Sequence, residues 1–372
     1  MSVFIESHNV ISALGFSSQE NFQNICDGNS GLKYYESSKY SSTPIVSSQI
    51  ERALIENEFS KIGTNSLYTQ FEKLSILSLY KSLQNSTVNP ADEKTVLILS
   101  TTKGNIDILE KKQLHKKERL YLWHTAQVIA DFFEMTTKPM VVSNACISGL
   151  SAMILADRLI SSGQYENALI VGADLVSKFV VSGFQSFQSL SLEICKPFDA
   201  NRDGLNIGEA VASVIVTKER KESKFEIVRG AIHNDSNHIS GPSRTGEGLF
   251  LAIGNTIVDE EIDYISAHGT ATPYNDNMEA VAISRAILND VPLNSFKGFF
   301  GHTLGAAGVL ETVMLLESMQ NNKIVKTFGY NEFGVSEQVN VAKENIDKEI
   351  KYALKLASGF GGCNAALLIK KL

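Results

Sequence analysis

The stretch Val141-Val142-Ser143-Asn144-Ala145-Cys146-Ile147-Ser148-Gly149 decides the fold class of this chain. Residues 141–143 are typical of a short strand, and residues 147–162 have the periodicity of a helix that stops before Gly163. Cys146 lies at the junction, among small residues. The stretch therefore predicts a strand that runs directly into a helix and carries a thiol at the turn.

Strand-like and helix-like segments alternate on both sides of this stretch. Helices are predicted over residues 70–83 and 277–288. Apolar runs typical of buried strands cover residues 96–100, 168–172, 211–216, 225–232, 262–267 and 366–370. This alternation predicts an α/β fold with buried sheets.

A charged stretch over residues 218–224 interrupts the pattern and is the best candidate for a domain boundary. The elements before and after it follow a similar order, although no sequence repeat is visible. The sequence therefore predicts two halves, residues 1–222 and residues 223–372.

The composition is that of a globular protein with a large core. The 372 residues are 43% hydrophobic and 20% charged, and the formal net charge is −7. This charge argues against a protein that coats nucleic acid or an anionic membrane. Four cysteines without CxxC or CxxH spacing exclude a disulfide scaffold and the usual zinc modules.

No targeting or membrane-spanning pattern is present in the sequence. The first residues lack a basic region followed by a long apolar run, and no apolar run reaches about 18 residues. We therefore expect no signal peptide, no membrane span and a reduced, cytoplasmic protein.

Cys146 is the first candidate for chemistry. A thiol near a helix N-terminus meets unpaired backbone N–H groups and the positive end of the helix dipole, which favour the thiolate. The same N–H groups can hold a developing oxyanion. The alternative is a buried structural cysteine.

Two histidines and one glycine-rich run complete the set of candidates. His268 and His302 each follow a short apolar run and are bracketed by glycine and other small residues, as at the strand ends where α/β folds place catalytic groups. The run Gly359-Phe360-Gly361-Gly362-Cys363-Asn364 can leave backbone N–H groups pointing at a site. The alternatives are satisfied core histidines and an ordinary glycine turn.

Together these residues resemble the β-ketoacyl-acyl-carrier-protein synthases. The matching segments, in family order, are the run around Cys146, Pro197 to Gly204 followed by Gly208-Glu209-Ala210, Ala267 to Pro273 with Asp276 and Glu279, Lys297 with Gly301 to Gly308 and Glu311, and Gly359 to Asn364 with Cys363 in place of threonine. Residues 10–15 resemble the family's opening segment. The resemblance implies a thiolase-like fold of five layers, αβαβα, with two related halves.

The resemblance also implies a decarboxylating Claisen condensation. Cys146 would take an acyl group from a carrier-protein thioester, with the backbone N–H groups of Cys146 and Phe360 as the oxyanion hole. Neutral His268 and His302 would stabilise the enolate left when malonyl-carrier protein loses carbon dioxide. The product would be a 3-oxoacyl thioester that is two carbons longer, made without metal or cofactor.

Further residues receive supporting roles from the same resemblance. Lys297 would pair with Glu311 and order the His302 loop, and Phe360 would also gate the thiol. The other residues are Asp276, Thr270 and Thr272 as supports, Phe184 in the acyl pocket, and His238 in a loop that borders the site.

The implied partners are an acyl carrier protein that bears acyl and malonyl groups, and a second subunit. The sequence does not separate a homodimer from a heterodimer with a related synthase subunit. The basic run over residues 111–119 is either a solvated helix face or a docking patch for an acidic carrier protein. Neither nucleic acid nor a membrane is expected as a partner.

Departures from the family pattern leave the substrate and the carrier open. Asn144 precedes Ala145-Cys146, Ser358 replaces an aromatic residue, and Gln188 stands where many members have arginine. Fatty-acid, polyketide and polyene pathways all remain possible. The alternatives in function are a thiolase that uses a second cysteine such as Cys363, a non-catalytic chain-length subunit, and a cysteine hydrolase.

Overall fold

A computed structural model describes residues 2–110, 116–235 and 237–372 of the chain, and all statements about the structure concern these ranges. Within them the strands are β1 Val3–Ile11, β2 Leu32–Tyr35, β3 Ile45–Ser48, β4 Thr95–Ser100, β5 Met140–Val142, β6 Asn167–Asp174, β7 Ile207–Gly208, β8 Ala210–Thr217, β9 Phe225–Asn234, β10 Tyr264–Ser266, β11 Leu293–Asn294, β12 Lys323–Ile324, β13 Ile346–Asp347, β14 Tyr352–Gly359 and β15 Cys363–Lys371.

The α-helices of the same ranges are α1 Ser18–Cys26, α2 Arg52–Phe59, α3 Gln70–Leu83, α4 Leu122–Phe132, α5 Ser148–Ser161, α6 Lys178–Ser186, α7 Glu247–Thr256, α8 Pro273–Arg285, α9 Lys297–Phe300 and α10 Ala307–Asn321. Short 3₁₀ turns cover Asn65–Leu67, Ile106–Glu110, Lys117–Leu120 and Leu304–Ala306. None of the described helices combines the length and the apolar character needed to cross a bilayer.

Ten strands form one large sheet that consists of two matching halves. Its order is β11-β10-β14-β15-β9-β1-β8-β6-β4-β5. In the first half, β1 pairs with β8 and β8 with β6, both antiparallel, and then β6 pairs with β4 and β4 with β5, both parallel. In the second half, β9 pairs with β15 and β15 with β14, both antiparallel, and then β14 pairs with β10 and β10 with β11, both parallel. The two halves are thus structurally related, and a short antiparallel β1–β9 contact joins them.

The helices complete five layers. α5 and α10 lie between the two half-sheets, in a core shared with β6, β8, β9, β14 and β15. α3 and α4 cover the outer face of the first half-sheet, and α7 and α8 cover that of the second. The expected αβαβα order of a thiolase-like fold is therefore confirmed.

Local sequence signals explain where several elements begin and end. α3 spans the predicted residues because Thr69 caps its start: the Thr69 hydroxyl accepts from the Glu72 N–H, and the Glu72 carboxylate accepts from the Thr69 N–H. β4 and β8 are buried along their whole length, which explains their continuous apolar runs. α5 ends next to Gly163, whose φ is +75°.

Two of the differences from the sequence prediction have a local cause. α8 begins at Pro273, four residues before the predicted residue 277, because a proline at the first helical position is pre-set for helical backbone. The prediction also did not include β14, which pairs with β15 along its whole length. The lysine in the middle of β14 breaks the apolar run that would have marked a buried strand.

The two central helices touch backbone to backbone where glycines face each other. A Cβ added to Gly149 of α5 would lie 2.6 Å from the Val309 nitrogen and 2.9 Å from the Gly308 Cα of α10. No side chain fits in this contact, which fixes the helix that starts beside Cys146 against the helix that follows His302.

We expect Gly149→Ala to lower the free energy of unfolding by about 1–3 kcal/mol, because the helices must separate to admit the methyl group. Gly254→Ala in α7 is the matched control, since no atom lies within 4 Å of the added Cβ there. We expect the control to be neutral or up to about 1 kcal/mol more stable. Urea unfolding measures both variants, and equal stability of Gly149→Ala and wild type would contradict the close contact.

Candidate active site

Three buried groups that are distant in the sequence meet between the two halves. His302 Nε2 lies 3.0 Å from the Cys146 sulfur, and the ring centroids of His268 and His302 are 5.4 Å apart. The sulfur and one ring nitrogen of each histidine all lie within 4.8 Å of one another. The structure therefore brings together the three residues that the sequence singled out for chemistry.

A strained turn presents the thiol. Ala145 has a φ of +44°, an unfavourable conformation for a residue with a side chain. The Ser148 hydroxyl donates to the Ala145 carbonyl and accepts from the Asn144 N–H, which stabilises the turn between β5 and α5. Non-glycine residues with positive φ also follow His268 and His302, namely Ala271 and Leu304.

His268 follows β10 as predicted, and a buried carboxylate holds its backbone. Glu279 of α8 accepts from the N–H groups of His268 at 2.5 Å and Gly269 at 2.8 Å. Burial raises the pKa of Glu279 to about 7, although these two N–H groups oppose that shift.

The segment before His302 differs from the prediction. The apolar residues that precede it form the one-turn helix α9, so His302 does not follow a strand. The turn out of α9 needs Gly301, whose φ is +71°. The His302 N–H donates to the Asn206 carbonyl at 2.7 Å, which ties this segment to the loop before β7.

Hydrogen bonds at the Nδ1 atoms define the tautomers of both rings. The Leu304 N–H donates to His302 Nδ1 at 3.3 Å, and the Lys297 ammonium lies 3.4 Å from His268 Nδ1. Since each Nδ1 faces a donor, the ring proton belongs on Nε2 in both histidines. Burial lowers the pKa of both rings far below the ordinary value, and the Lys297 charge lowers it further, so both rings are neutral donors.

Below His268 lies a buried group of three charges. The Lys297 ammonium bonds Glu311 Oε1 at 2.6 Å and the His268 carbonyl at 2.8 Å. The Lys355 ammonium lies 2.7 Å from Glu311 Oε2. Burial alone would raise the pKa of Glu311, but the two ammonium groups more than offset it and keep the carboxylate charged.

The supporting residues of the His268 loop form hydrogen bonds with one another. Asp276 accepts from the N–H groups of Thr270 at 2.9 Å and Phe198 at 2.8 Å. The hydroxyl groups of Thr270 and Thr272 are 2.8 Å apart. These contacts fix the loop that follows the first imidazole.

A cavity of about 680 Å³ leads to the thiol. Phe184 and Phe187 of the α6 region line it together with Phe360. The Phe360 ring stacks on Phe184 at a centroid distance of 5.9 Å and meets Phe187 edge to face at 5.3 Å. The aromatic side chains thus surround the mouth of an apolar cavity that suits an acyl chain.

Two other predicted regions lie apart from this cavity. His238 is exposed, and its Nδ1 accepts from the Ser240 N–H at 3.2 Å. Its neighbour Ile239 contacts the Phe360 loop, because the Ile239 carbonyl accepts from the Gly361 N–H at 2.7 Å. Of the basic run, residues 111–115 lie outside the described residues, and Arg119 forms an ion pair with the buried carboxylate of Glu72.

Opposing effects act on the thiol of Cys146. Burial raises its pKa, whereas the ammonium groups of Lys297 and Lys103 and the Phe360 N–H lower it. The His302 Nε2–H points at the sulfur, so it stabilises the thiolate when that form is present. Because both Nε2 atoms carry protons, the rings offer hydrogen bonds rather than free electron pairs for a metal.

Two lysines of this site were missed by the sequence analysis. Lys103 lies in the loop after β4 and lines the cavity, and its ammonium donates to the Thr102 hydroxyl at 2.8 Å. No carboxylate within 4 Å pairs with Lys103 in the described part of the chain. Lys355 lies on the inner face of β14. The sequence contains a signal for each of them: Lys103 follows a predicted strand, and Lys355 interrupts an apolar run.

A buried thiol beside two neutral imidazole donors, on a thiolase-like fold, is the arrangement of a condensing acyltransferase. The family models named Beta-ketoacyl synthase, N-terminal domain, and Beta-ketoacyl synthase, C-terminal domain, match residues 2–222 and 225–331. The chain therefore belongs to the β-ketoacyl synthase family.

Curated relatives from fatty-acid and polyketide synthesis are similar along most of the chain. A putative mitochondrial 3-oxoacyl-[acyl-carrier-protein] synthase of Schizosaccharomyces pombe is 28% identical over 99% of both chains. The ketoacyl synthase alpha subunit of the tetracenomycin polyketide synthase of Streptomyces glaucescens is 27% identical over 85% of this chain and 86% of its own.

Solved structures share the fold over the full length of the chain. A ketosynthase from Xenorhabdus doucetiae in complex with its chain length factor has a TM-score of 0.85 at 22% identity, covering 100% of this chain and 98% of its own. A type II polyketide ketosynthase in complex with its acyl-carrier protein has a TM-score of 0.84 at 21% identity, covering 100% and 99%.

We expect Lys103→Met to slow the alkylation of Cys146 by iodoacetamide roughly three- to tenfold at neutral pH. Loss of a nearby cation raises the pKa of the thiol, so less thiolate is present and the pH profile moves upward. Peptide mapping by mass spectrometry separates Cys146 from the other three cysteines.

Lys178→Met is the matched control, because Lys178 lines the same cavity but is not among the groups that shift the pKa of the thiol. An unchanged profile in Lys103→Met, or an equal change in the control, would contradict the effect assigned to Lys103.

Proposed function

We propose that the protein is a 3-oxoacyl-[acyl-carrier-protein] synthase that condenses a Cys146-bound acyl group with malonyl-carrier protein. The observation that carries this proposal is the convergence of one thiol and two Nε2–H donors at the end of an apolar cavity. A hydrolase would need a water positioned by a base, whereas both rings here are arranged as donors.

In the first half of the reaction, the Cys146 thiolate attacks the thioester carbonyl of an acyl-carrier protein. The tetrahedral intermediate carries its negative charge on oxygen, where the N–H groups of Cys146 and Phe360 are proposed to bind it. Such a donor typically contributes about 3–4 kcal/mol to the transition state. The carrier thiolate leaves, and the acyl group remains on the sulfur with its chain in the cavity beside Phe184.

In the second half, malonyl-carrier protein replaces the first carrier. The C–C bond to its carboxylate breaks, carbon dioxide leaves, and the electron pair moves onto the thioester oxygen as an enolate. His268 and His302 donate to this oxygen from Nε2. The enolate carbon then attacks the Cys146 thioester, and the thiolate leaves to give the 3-oxoacyl product. Since the donors are aligned beforehand, little reorganisation is needed as the charge develops.

The surrounding residues are proposed to orient this centre. Lys297 and Glu311 hold the His268 backbone and ring, and Asp276, Thr270 and Thr272 hold the following loop. Phe360 is proposed to gate the thiol, and Gly361 and Gly362, both with positive φ, give its loop a conformation that other residues disfavour. His238, in the loop bonded to Gly361, is proposed to support the gate.

The thiolase alternative is disfavoured by the surroundings of the second cysteine. The Cys363 thiol donates to the Phe360 carbonyl at 3.2 Å, and burial raises its pKa to about 11. A thiol with this pKa is a poor general base at neutral pH. A non-catalytic subunit is disfavoured because Cys146, His268 and His302 form a complete constellation.

The proposed partners are an acyl carrier protein and a second condensing-enzyme subunit, either a copy of this chain or a related chain-length subunit. Structures with this fold contain a ketosynthase with its chain length factor and a ketosynthase with its carrier protein. β5 lies at the edge of the large sheet and packs against α4, whose Trp123 is 63% exposed; an unpaired strand edge and an exposed aromatic residue are typical of an interface.

The proposed domain boundary lies between residues 222 and 223, where the charged stretch links β8 to β9. The two half-sheets on either side share one pattern of strand pairing, which supports this division. All four cysteines are free thiols, which supports a reducing compartment such as the cytoplasm.

We expect the wild-type protein to gain the mass of one acyl group per chain when it is incubated with an acyl-carrier protein, as measured by intact-mass spectrometry. Cys146→Ala should show no gain, whereas Cys195→Ala should load normally, since Cys195 is buried beside the Lys297 carbonyl and away from the cavity. A panel of acyl groups identifies the preferred chain. Loading of Cys146→Ala to the wild-type level would contradict the assigned nucleophile.

We expect Cys146→Gln to release carbon dioxide from malonyl-carrier protein without forming a 3-oxoacyl product, because the enolate donors remain but the acyl acceptor is gone. Adding His268→Ala or His302→Ala should each lower this decarboxylation roughly 10²- to 10³-fold through the loss of one donor. Adding His124→Ala on α4 should leave it unchanged. Decarboxylation that survives both active-site changes would overturn the enolate assignment.

A further inference from the structure

Lys355 has no role in the reaction as described so far, although it is fully buried. It lies in the middle of β14, where residues Ala353 to Ser358 are all buried, and its side chain is 0% exposed. Alternation along the strand places it on the same face as Ala353 and Ala357, toward α10. An ammonium group in such a position is costly unless it is paired, and burial lowers the pKa of Lys355.

The Lys355 ammonium contacts three acceptors around the His268 loop. Glu311 Oε2 lies at 2.7 Å, and the carbonyl oxygens of Ser266 and Ala267 accept from it at 3.2 Å and 3.0 Å. The next carbonyl, that of His268, accepts from Lys297. Two buried ammonium groups thus hold three consecutive carbonyls that lead into the first imidazole.

The two ammonium groups share a single carboxylate. Lys297 and Lys355 with Glu311 carry one net positive charge, whereas Lys297 and Glu311 alone would be neutral. The excess charge lies behind His268, whose pKa is lowered first by burial and then by Lys297, His302 and Lys355.

Other titratable groups also face this cluster. Glu279 of α8 acts electrostatically on Lys355, and Asp276 beside it lies 3.8 Å from the Arg202 guanidinium. Tyr264 of β10 is near Glu311, and burial raises the pKa of its phenol, so it stays neutral. Within this set Lys355 is the group that adds a second cation to the pair of Lys297 and Glu311.

We propose that Lys355 is a positioning residue for the condensation. Lys355 pairs with one oxygen of Glu311 and Lys297 with the other, so the Lys297 ammonium can also face His268 Nδ1. In this way Lys355 keeps His268 a neutral Nε2–H donor. This inference rests on the proposed condensing activity. Its basis is the pair of ammonium groups on opposite oxygens of one buried carboxylate.

The protonation state of His268 matters because of what the enolate does next. A neutral imidazole donates a hydrogen bond to the enolate oxygen and keeps its proton. An imidazolium can transfer a proton to the enolate carbon, which yields an acetyl thioester instead of the condensed product. Loss of Lys355 makes protonation of His268 easier, so its pKa rises and the acetyl by-product increases as the pH falls.

The test is the ratio of acetyl-carrier to 3-oxoacyl-carrier product between pH 5.5 and 8, measured by mass spectrometry for wild type, Lys355→Met and Lys355→Arg. We expect the ratio for Lys355→Met to rise roughly threefold or more at the acid end, equal to an upward pKa shift of about half a unit. Lys355→Arg keeps the charge and should follow the wild type. Lys73 on the outer helix α3 is the control, because its almost buried ammonium pairs with Glu56. Lys73→Met should leave the ratio unchanged.

A second measurement does not depend on activity or on a Lys355 variant folding. In ¹⁵N-histidine spectra of the wild-type protein, with His268 identified from His268→Asn, we expect a neutral Nε2–H ring down to the lowest pH at which the protein stays folded. A His268 that titrates near its ordinary value, or a Lys355→Met variant with the wild-type ratio, would overturn the inference. A wild-type protein that neither loads acyl groups nor releases carbon dioxide would instead contradict the proposed function.

Discussion

Both imidazoles of the site have a donor at Nδ1, and this constraint determines what their Nε2 atoms can do. The Leu304 N–H occupies one Nδ1 and the Lys297 ammonium faces the other. With their protons on Nε2, both rings lie close to the sulfur, and His302 Nε2 is 3.0 Å from it. Burial and the Lys297 charge lower the pKa of both rings, which keeps them uncharged. This arrangement suits the stabilisation of negative charge on an oxygen, as in the enolate of a decarboxylating condensation.

The fold supplies this arrangement by joining two halves of the same design. Cys146 comes from the first half, at the turn between β5 and α5, and the histidines come from loops of the second half. The glycine contact between α5 and α10 brings these segments together. Residues with positive φ beside each of the three groups show that the backbone is held in unfavourable conformations there, with the surrounding layers providing the stability that this requires.

The sequence predicted much of this architecture because the relevant signals are local. Apolar residues at helical spacing predicted α3, and continuous apolar runs predicted β4 and β8. The motif order gave the fold and the three central residues. The contacts of Lys355 were beyond the sequence, because pairing with Glu311 on a distant helix makes a buried lysine tolerable. The short helix before His302 was missed for a related reason: three consecutive buried positions there are apolar on every face, so the pattern does not separate a helical turn from a strand.

The backbone contact between Gly149 and α10 also has a consequence for catalytic motion. Helices that touch without intervening side chains cannot slide or rotate past each other without losing the fit, so the scaffold under the reacting groups is rigid. The aromatic rings at the mouth, where Phe360 is 37% exposed, are the parts with freedom to rearrange. Under the proposed function, one carrier arm is exchanged for the next at this rim, so substitutions among these aromatic residues change access to the thiol without disturbing the scaffold beneath it.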